Sequence, residues 1–256
     1  MSNLILRSIS ALILTFIVGS VFLIGPNAVM LMSGLITLVL FGETLKGIGS
    51  YKSNKILLVP PFIGLVSPVF FYNHLLVIFL LTIILLISFN PKKFRFLRLS
   101  AFCYIFLAQY LFLTVICEIP NGLNLQQPFF LLMLVIASDT GGYIFGRLFG
   151  NNSLAPKVSP NKTWEGSFGS CVLSLGIWLI FFKGFADNLI LELILVMFIC
   201  VCAQIGDLVV SYTKRVLLLK DSGTIIPGHG GMFDRLDSVL GVIFGYSFLI
   251  KLGYGF

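Results

Sequence analysis

Long apolar stretches recur along the whole chain, and short segments carrying most of the charged residues separate them. An α-helix needs about 20 apolar residues to cross the hydrocarbon core of a bilayer, and these stretches approach that length. The pattern therefore predicts an all-α fold, a polytopic transmembrane helical bundle of about nine spans. We place the spans at residues 4–24, 27–41, 56–72, 74–89, 99–117, 128–147, 167–183, 188–207 and 238–254.

Two of these segments depart from a simple span. The first carries Arg7 near its start, as a signal peptide would, but it has no Ala-x-Ala cleavage site, so we expect it to be retained. The third contains Pro60, Pro61 and Pro68, which would kink or break a helix. Residues 56–72 could therefore form a bent or re-entrant piece.

The composition supports a membrane protein and argues against a soluble domain. Hydrophobic residues make up 58% of the chain, charged residues 11%, and the mean hydropathy is +1.04. Soluble domains contain about 25% charged residues. We find no linker or repeat, and therefore expect a single integral membrane domain over residues 1–256.

The positions of the basic residues predict the orientation. With the N-terminus in the cytoplasm, nine alternating spans place fifteen of the 17 Lys and Arg residues on the cytoplasmic side, as the positive-inside rule requires. The net charge of +7 would then face anionic lipid or a nucleotide. Nucleic acid is not an expected partner, because no soluble basic domain is present.

The acidic residues divide the chain into two parts. Residues 1–125 contain only Glu43 and Glu118, whereas most acids of residues 126–256 lie near predicted cytoplasmic ends of spans. Charges inside membrane proteins usually mark functional sites. We therefore interpret residues 1–125 as scaffold helices and residues 126–256 as the catalytic helices and loops.

One candidate site follows the eighth span. If that helix continues into the cytoplasm, Gln204, Asp207, Ser211 and Arg215 share one face, with Lys214 beside them. A carboxylate, a hydroxyl and a guanidinium on one face can bind a metal and a phosphate. The alternative is an ordinary ion-paired helix at the membrane surface.

A glycine-rich segment follows that helix. Lys220 and Asp221 precede the run Gly228–Gly231, which includes His229. Successive backbone N–H groups in such a segment can form an anion site, although most such turns bind nothing. Asp234 and Asp237 lie just before the ninth span. Helix capping alone would explain one acid at this position better than two.

Two further segments carry candidate residues. Asp139, Tyr143 and Arg147 share a helical stripe, and Asp139 would serve either the site or an internal pair with Arg147. Residues 157–166 form a polar segment that contains Lys157, Lys162 and Glu165. This segment could contribute to the site. It could instead be only a solvated loop with a helix cap and a Trp at the membrane interface.

Together these motifs closely resemble one family, the phosphatidate cytidylyltransferases or CDP-diacylglycerol synthases. Its pattern runs Ser-x-x-Lys-Arg, four residues, Lys-Asp-x-Gly, then Pro-x-His-Gly-Gly-x-x-Asp-Arg-x-Asp. The stretches around Ser138–Thr140, Lys157–Gly166 and Gln204–Asp207 also match, so the resemblance covers roughly residues 135–240. The matching positions are Ser211, Lys214, Arg215, Lys220, Asp221, Gly223, Pro227, His229, Gly230, Gly231, Asp234, Arg235 and Asp237.

The resemblance implies that CTP and phosphatidate react to CDP-diacylglycerol and pyrophosphate with Mg²⁺, a second cation being possible. It also implies a homodimer in the membrane that contacts lipid. We expect a multi-pass protein of the bacterial inner membrane with its active site facing the cytoplasm, because no organelle-targeting extension is visible.

The resemblance and the charge pattern together suggest a role for each candidate residue. We expect Asp207, Asp221, Lys214 and Arg215 to be catalytic, with Asp207 and Asp221 as metal ligands. The expected substrate and phosphate contacts are Ser211, Lys220, Gly228, His229, Gly230, Gly231, Arg235, Lys157 and Lys162, and the expected supporting residues are Asp139, Tyr143, Glu165, Asp234 and Asp237.

Two other functions fit part of the pattern. Another CTP-dependent lipid enzyme, such as a prenol kinase or an ether-lipid cytidylyltransferase, would use similar phosphate chemistry with a different acceptor. An ion or solute transporter would place its acids near the bilayer midplane. The charges gather at one face of the predicted membrane domain, which favours an enzyme with a soluble substrate.

Overall fold

The computed structural model describes residues 2–47, 125–181, 188–216, 221–223 and 230–254. These residues are mostly helical, as predicted. Six predicted spans correspond to described helices, whereas those at 56–72, 74–89 and 99–117 lie outside the described residues. The elements are α1 (Ser2–Ile24), α2 (Pro26–Gly47), α3 (Gln126–Phe149), β1 (Ser153–Ala155), β2 (Ser159–Thr163), α4 (Trp164–Phe181), α5 (Leu189–Val216) and α6 (Phe233–Lys251).

The chain divides into two compact units. The first comprises Met1–Leu125 and Leu219–Arg235, and the second comprises Gln126–Leu218 and Leu236–Phe256. The boundary near residue 125 is also where the acid distribution changes in the sequence. The segment that carries the glycine-rich motif belongs to the first unit, together with α1 and α2.

In the first unit, a glycine separates the two apolar helices. Gly25 has φ of 125°, a conformation that costs a residue with a side chain much more than glycine. Pro26 then occupies the first position of α2, where its fixed φ suits a helix start. The Ala28 N–H donates to the Gly25 carbonyl at 3.1 Å. This local chemistry ends one helix and begins the next.

In the second unit, glycines let α3 and α4 pack closely. A Cβ on Gly142 would lie 2.9 Å from Ser170 Oγ, and one on Gly166 would lie 2.8 Å from the Gly142 carbonyl oxygen. Gly146 faces the end of β2 and the start of α4, because its would-be Cβ lies 3.3 Å from Thr163 Oγ1 and 3.7 Å from Gly166 Cα. Gly142 and Gly146 thus form a face of small residues on α3. Such faces are typical of helix packing in membranes.

A buried tryptophan and a buried glutamate pair in the core of the second unit. The Trp178 side chain of α4 is 1% exposed, and its Nε1 donates to Glu192 Oε2 of α5 at 3.0 Å. Hydrogen bonding offsets part of the cost of burying a carboxylate. Asn188 precedes α5 and caps it, because its side-chain oxygen accepts from the Ile190 N–H at 2.9 Å.

A β-hairpin corrects the all-α prediction. Strands β1 and β2 pair antiparallel, with Ser153 opposite Thr163 and Ala155 opposite Ser159. Thr163 ends β2 and caps α4, because its Oγ1 accepts from the Gly166 N–H at 3.1 Å. The polar segment was interpreted as a loop because the strands are short and carry no alternating apolar pattern.

Three described helices are long and apolar enough to cross a membrane, at Gln126–Phe149, Trp164–Phe181 and Leu189–Tyr212. Large apolar side chains are widely exposed, for example Leu23 at 89%. Extensive exposed apolar surface is expected where lipid covers a protein. The protein is therefore a membrane protein, whereas nine spans and a cytoplasmic N-terminus stay predictions.

Candidate active site

A polar cavity of about 240 Å³ lies within the second unit. Helices α3, α4 and α5 and the hairpin contribute its walls. Glycines bring α3 and α4 close together. Side chains of the hairpin and of α5 line the same cavity as residues of these two helices. The lining residues that carry polar side chains are Ser138, Asp139, Tyr143, Asn161, Lys162, Thr163, Ser167, Ser170, Gln204 and Asp207.

Asp207 of α5 and Lys162 of β2 form an ion pair in this cavity. Their side chains are 25% and 26% exposed, so both are partly withdrawn from water. Ser211 lies one turn along α5 and donates from Oγ to Asp207 Oδ1 at 3.3 Å. The predicted continuation of the eighth span as a helix is confirmed, and it places Asp207 and Ser211 on one face.

A second acid approaches Asp207 from α6. A Cβ on Gly206 would lie 2.6 Å from the Asp237 carbonyl oxygen and 2.7 Å from Gly241 Cα, so only glycine allows this packing. Asp237 lies just before the predicted span at 238–254. Burial raises the pKa of its carboxyl to about 8, and the charge of Asp207 adds to this shift. Asp139 raises this pKa further, whereas Lys214 lowers it.

Polar contacts position the third acid of this unit. Ser238 Oγ donates to Asp139 Oδ1 at 3.0 Å, which links α6 to α3. On the stripe predicted for α3, Arg147 Nη1 donates to the Tyr143 hydroxyl at 2.9 Å. The structure thus gives Asp139 a partner on another helix, and gives Arg147 a partner on its own.

Two contacts fix the hairpin and α4 against α5. Arg215, predicted to be catalytic, donates from Nε to the Val158 carbonyl in the hairpin turn at 3.1 Å. Gln204 accepts a hydrogen bond from Ser167 Oγ, and its amide donates to the Ser167 carbonyl at 3.4 Å. Arg215 therefore helps to place the strand that carries Lys162.

The first unit contains a separate acidic cluster, centred on Glu43. This side chain lies near the end of α2 and is 2% exposed. Its Oε1 accepts from the Met232 N–H at 2.8 Å, and its Oε2 accepts from the Phe233 N–H at 3.0 Å and from Ser222 Oγ at 3.3 Å. Glu43 thus binds the start of α6 and the Asp221–Gly223 segment together.

Asp234 makes a similar connection. Its Oδ2 accepts from the Ser222 N–H at 2.8 Å and from the Gly231 N–H at 3.1 Å. It also lies 3.0 Å from Ser222 Oγ, whose single proton it shares with Glu43. Part of the predicted phosphate-binding backbone is therefore used here by an acid of the same motif.

The glycines of this motif leave room for those two acids. A Cβ on Gly223 would lie 2.8 Å from Glu43 Oε1, and one on Gly231 would lie 2.7 Å from Glu43 Oε2. Gly230 has φ of 85°, which favours glycine by itself. Glu43 and Ser222 therefore occupy the space that side chains at Gly223 and Gly231 would need. Of these two glycines, Gly231 was predicted to contact phosphate, and that role stays a prediction.

Asp207 and Asp237 are two carboxylates of the second unit that could together hold Mg²⁺. No group of three His, Cys, Asp or Glu that could hold a metal occurs within the described ranges. Mg²⁺ is, however, usually bound by one or two carboxylates together with water and substrate phosphates. A cation shared by Asp207 and Asp237 would relieve the like-charge crowding that contributes to the raised pKa of Asp237.

Comparison with known proteins identifies the family. A model described as "Cytidylyltransferase family" matches residues 5–252. The chain belongs to the cytidylyltransferase family. It is 34% identical over 250 residues to a phosphatidate cytidylyltransferase of Staphylococcus haemolyticus, covering 93% of this chain and 95% of that protein. A protein of the same name from Staphylococcus saprophyticus is 40% identical over 162 residues, which cover 60% of this chain and 60% of that protein. Another from Mycobacterium leprae is 45% identical over 113 residues, which cover 44% of this chain and 36% of that protein.

The family match is wider than the sequence motifs indicated. The resemblance was confined to about residues 135–240, whereas the match to the cytidylyltransferase family begins at residue 5 and includes α1 and α2. Of the predicted site residues, Lys220, Gly228 and His229 lie outside the described residues. Asp221, Lys157 and Arg235 are described and exposed. The roles of all these residues stay predictions.

Sequence reasoning did not select Glu43 as a site residue. It was noted only as one of two acids in the presumed scaffold. Its partners lie about 180 residues away along the chain, a separation that periodicity cannot bridge. One signal was available, because an acid near the end of an apolar helix is costly to bury and so needs a specific partner.

Proposed function

We propose that this member of the cytidylyltransferase family transfers the cytidylyl group of CTP to phosphatidate, giving CDP-diacylglycerol and pyrophosphate. The observation that carries the proposal is the ion pair of Lys162 and Asp207 in a polar cavity among membrane helices. It offers a cation for phosphate and a carboxylate for a metal in one place. The names of the relatives and the match across the chain support the same reaction.

The reaction needs charge neutralisation more than it needs a base. A phosphate oxygen of the lipid would attack the α-phosphorus of CTP, and the bond from that phosphorus to the β-phosphate bridging oxygen would break as pyrophosphate leaves. A phosphate monoester has a second pKa of about 6, so it is already ionised at neutral pH. The remaining barrier is repulsion between two polyanions, which cations lower.

The basic residues of the second unit are suited to that task. Lys162 lines the cavity and can exchange its contact with Asp207 for one with a phosphate. Lys214 and Arg215 belong to the last turn of α5, beyond Asp207. Arg215 also places the hairpin, because it binds the Val158 carbonyl. These three side chains would bind and orient the triphosphate.

Mg²⁺ would supply charge neutralisation at the reacting phosphates. Asp207 is its proposed principal ligand. Asp237, whose pKa is raised partly by the charge of Asp207, is proposed as a second ligand. Asp221, exposed in the first unit, remains the other ligand proposed from the motif. A second cation is part of the same proposal, because the triphosphate carries more charge than one Mg²⁺ neutralises.

We propose a bacterial inner-membrane homodimer whose active site faces the cytoplasm. The split of basic residues across the predicted spans supports this orientation. Lys157, which is exposed in the hairpin turn, offers a direct test. In a variant without native cysteines, K157C should react with an impermeant thiol reagent only after the cells are opened. Reaction in intact cells would reverse the orientation.

Purified protein tests the reaction itself. With labelled CTP and Mg²⁺, we expect pyrophosphate release and a labelled lipid only when phosphatidate is present. A prenol or an archaeal-type ether lipid, supplied alone, should give neither product. Turnover with one of those acceptors instead would support the alternative lipid enzymes, and pyrophosphate release without any lipid acceptor would contradict a lipid transferase.

A further inference from the structure

Glu43 connects three separate parts of the first unit through one buried carboxylate. It comes from α2, it binds the first N–H groups of α6, and it accepts from Ser222 beside Asp221. Its two oxygens accept three hydrogen bonds with distances of 2.8–3.3 Å. The contacts therefore tie the Asp221–Gly223 segment and the start of α6 to one point.

The contacts of Glu43 use both of its side-chain oxygens as acceptors. A buried carboxylate is costly unless hydrogen bonds replace its water. The Met232 and Phe233 N–H groups lie at the start of α6, where the helix dipole also favours negative charge. A neutral amide in place of Glu43 would turn an NH₂ group toward donors. The network therefore requires the carboxylate itself.

The motif sequence leaves space for this carboxylate. Side chains at Gly223 or Gly231 would approach the Glu43 oxygens to 2.8 and 2.7 Å. Two motif glycines thus border a side chain of a helix nearly 180 residues earlier. A residue that served only to pack α2 against its neighbours would not need such specific space in the segment beside Asp221.

We propose that Glu43 is a positioning residue for two pieces of the motif proposed to bind metal and phosphate, residues 221–223 and 230–235. Its role rests on the proposed function, because that function gives Asp221 and Arg235 their contacts with metal and phosphate. Glu43 acts through Ser222 and the backbone of Met232 and Phe233, which are the chain neighbours of Asp221 and Gly231.

The test compares Glu43→Gln with a matched change, Glu192→Gln. Glu192 is also a buried carboxylate, but it accepts a hydrogen bond from Trp178 Nε1 in the second unit. We expect Glu43→Gln to raise the half-saturating concentrations of Mg²⁺ and CTP at least about tenfold, on the scale of one lost hydrogen bond to a charged group. KM for phosphatidate should change less, and Glu192→Gln should leave all three values near wild type.

Hydrogen–deuterium exchange gives a readout that does not depend on activity. In Glu43→Gln, amides in peptides that cover residues 230–236 should exchange faster, since Met232 and Phe233 lose their acceptor. Peptides from α3 and α4 should exchange as in wild type. Ser222→Ala should give a smaller change in the same peptides, and it serves as the second variant should Glu43→Gln fail to fold.

The outcomes separate this inference from the proposed function. If wild-type protein does not use CTP and phosphatidate, the function is wrong, and the exchange experiment still tests the contacts of Glu43. If wild type is active and Glu43→Gln keeps its Mg²⁺ and CTP half-saturation, Glu43 has no positioning role. Equal effects of Glu43→Gln and Glu192→Gln on all readouts would indicate general destabilisation and also overturn the proposal.

Discussion

The two acidic clusters of this cytidylyltransferase differ in what faces the carboxylates. In the first unit, Glu43 and Asp234 accept hydrogen bonds from backbone N–H groups and from Ser222. In the second unit, Asp207 and Asp237 face each other, and the cation paired with Asp207 is a lysine.

This difference separates structural acids from acids suited to a cation. A carboxylate that binds backbone N–H groups is satisfied by the fold, and its loss should alter the position of the segment it binds. Carboxylates that crowd one another are destabilising until a cation joins them. Raised pKa values are often found at functional sites for this reason. This contrast supports the proposed binding role of Asp207 and the proposed positioning role of Glu43.

The largest effect is expected from Asp207→Asn. This change removes the carboxylate that pairs with Lys162 and is the proposed metal ligand. Turnover should fall at least about a hundredfold, on the scale of losing a key electrostatic group. Initial rates of pyrophosphate release at saturating CTP would measure it. Near-normal Mg²⁺-dependent turnover would remove Asp207 from the site.

Asp221→Asn tests whether the first unit also contributes a metal ligand. Asp221 is exposed and lies beside Ser222, the residue that both Glu43 and Asp234 bind. We expect a loss of about a hundredfold in turnover if it is a ligand. Titration of Mg²⁺ checks the cause, because a lost ligand raises the concentration needed. An unchanged Mg²⁺ dependence with normal turnover would leave metal binding to the second unit.

A smaller effect is expected from Lys162→Met, with Lys157→Met as its control. Both lysines were predicted to bind phosphate, but Lys162 lines the cavity whereas Lys157 is exposed in the hairpin turn. The kcat/KM for CTP should fall about tenfold in Lys162→Met, the scale of one charge-assisted contact, and little in Lys157→Met. Equal losses would indicate a diffuse electrostatic role for the hairpin.

The smallest effect concerns stability, through Asp237→Asn. The pKa of Asp237 is raised to about 8 in the folded protein, against about 3.9 when unfolded. The folded state then binds the extra proton between these values, so stability is lost as pH rises toward 8. Without Mg²⁺, the variant should melt a few degrees higher than wild type at pH 8, and the gain should shrink toward pH 5. A gain in melting temperature that does not depend on pH would contradict repulsion between Asp207 and Asp237.

Much of the fold was predictable because helix length and apolar runs are local properties. The spans predicted at 4–24, 128–147 and 188–207 agree with α1, α3 and α5 to within a few residues, except that α5 continues to Val216. The hairpin was not predictable from alternation, since its strands have three and five residues and are largely polar. The hairpin also contacts α5, where Arg215 donates to the Val158 carbonyl, and periodicity cannot predict a contact between residues so far apart.

The sequence by itself determined that this is a membrane protein with the motif of a cytidylyltransferase, and it selected Asp207, Lys162 and Asp237. Those conclusions depend on composition and on short spacings, which one segment of chain contains. Only the tertiary structure decided that Lys162 pairs with Asp207, that Gly206 lets Asp237 approach, and that Glu43 binds the start of α6. Such contacts join residues far apart in the chain, and the packing of helices decides which of them meet.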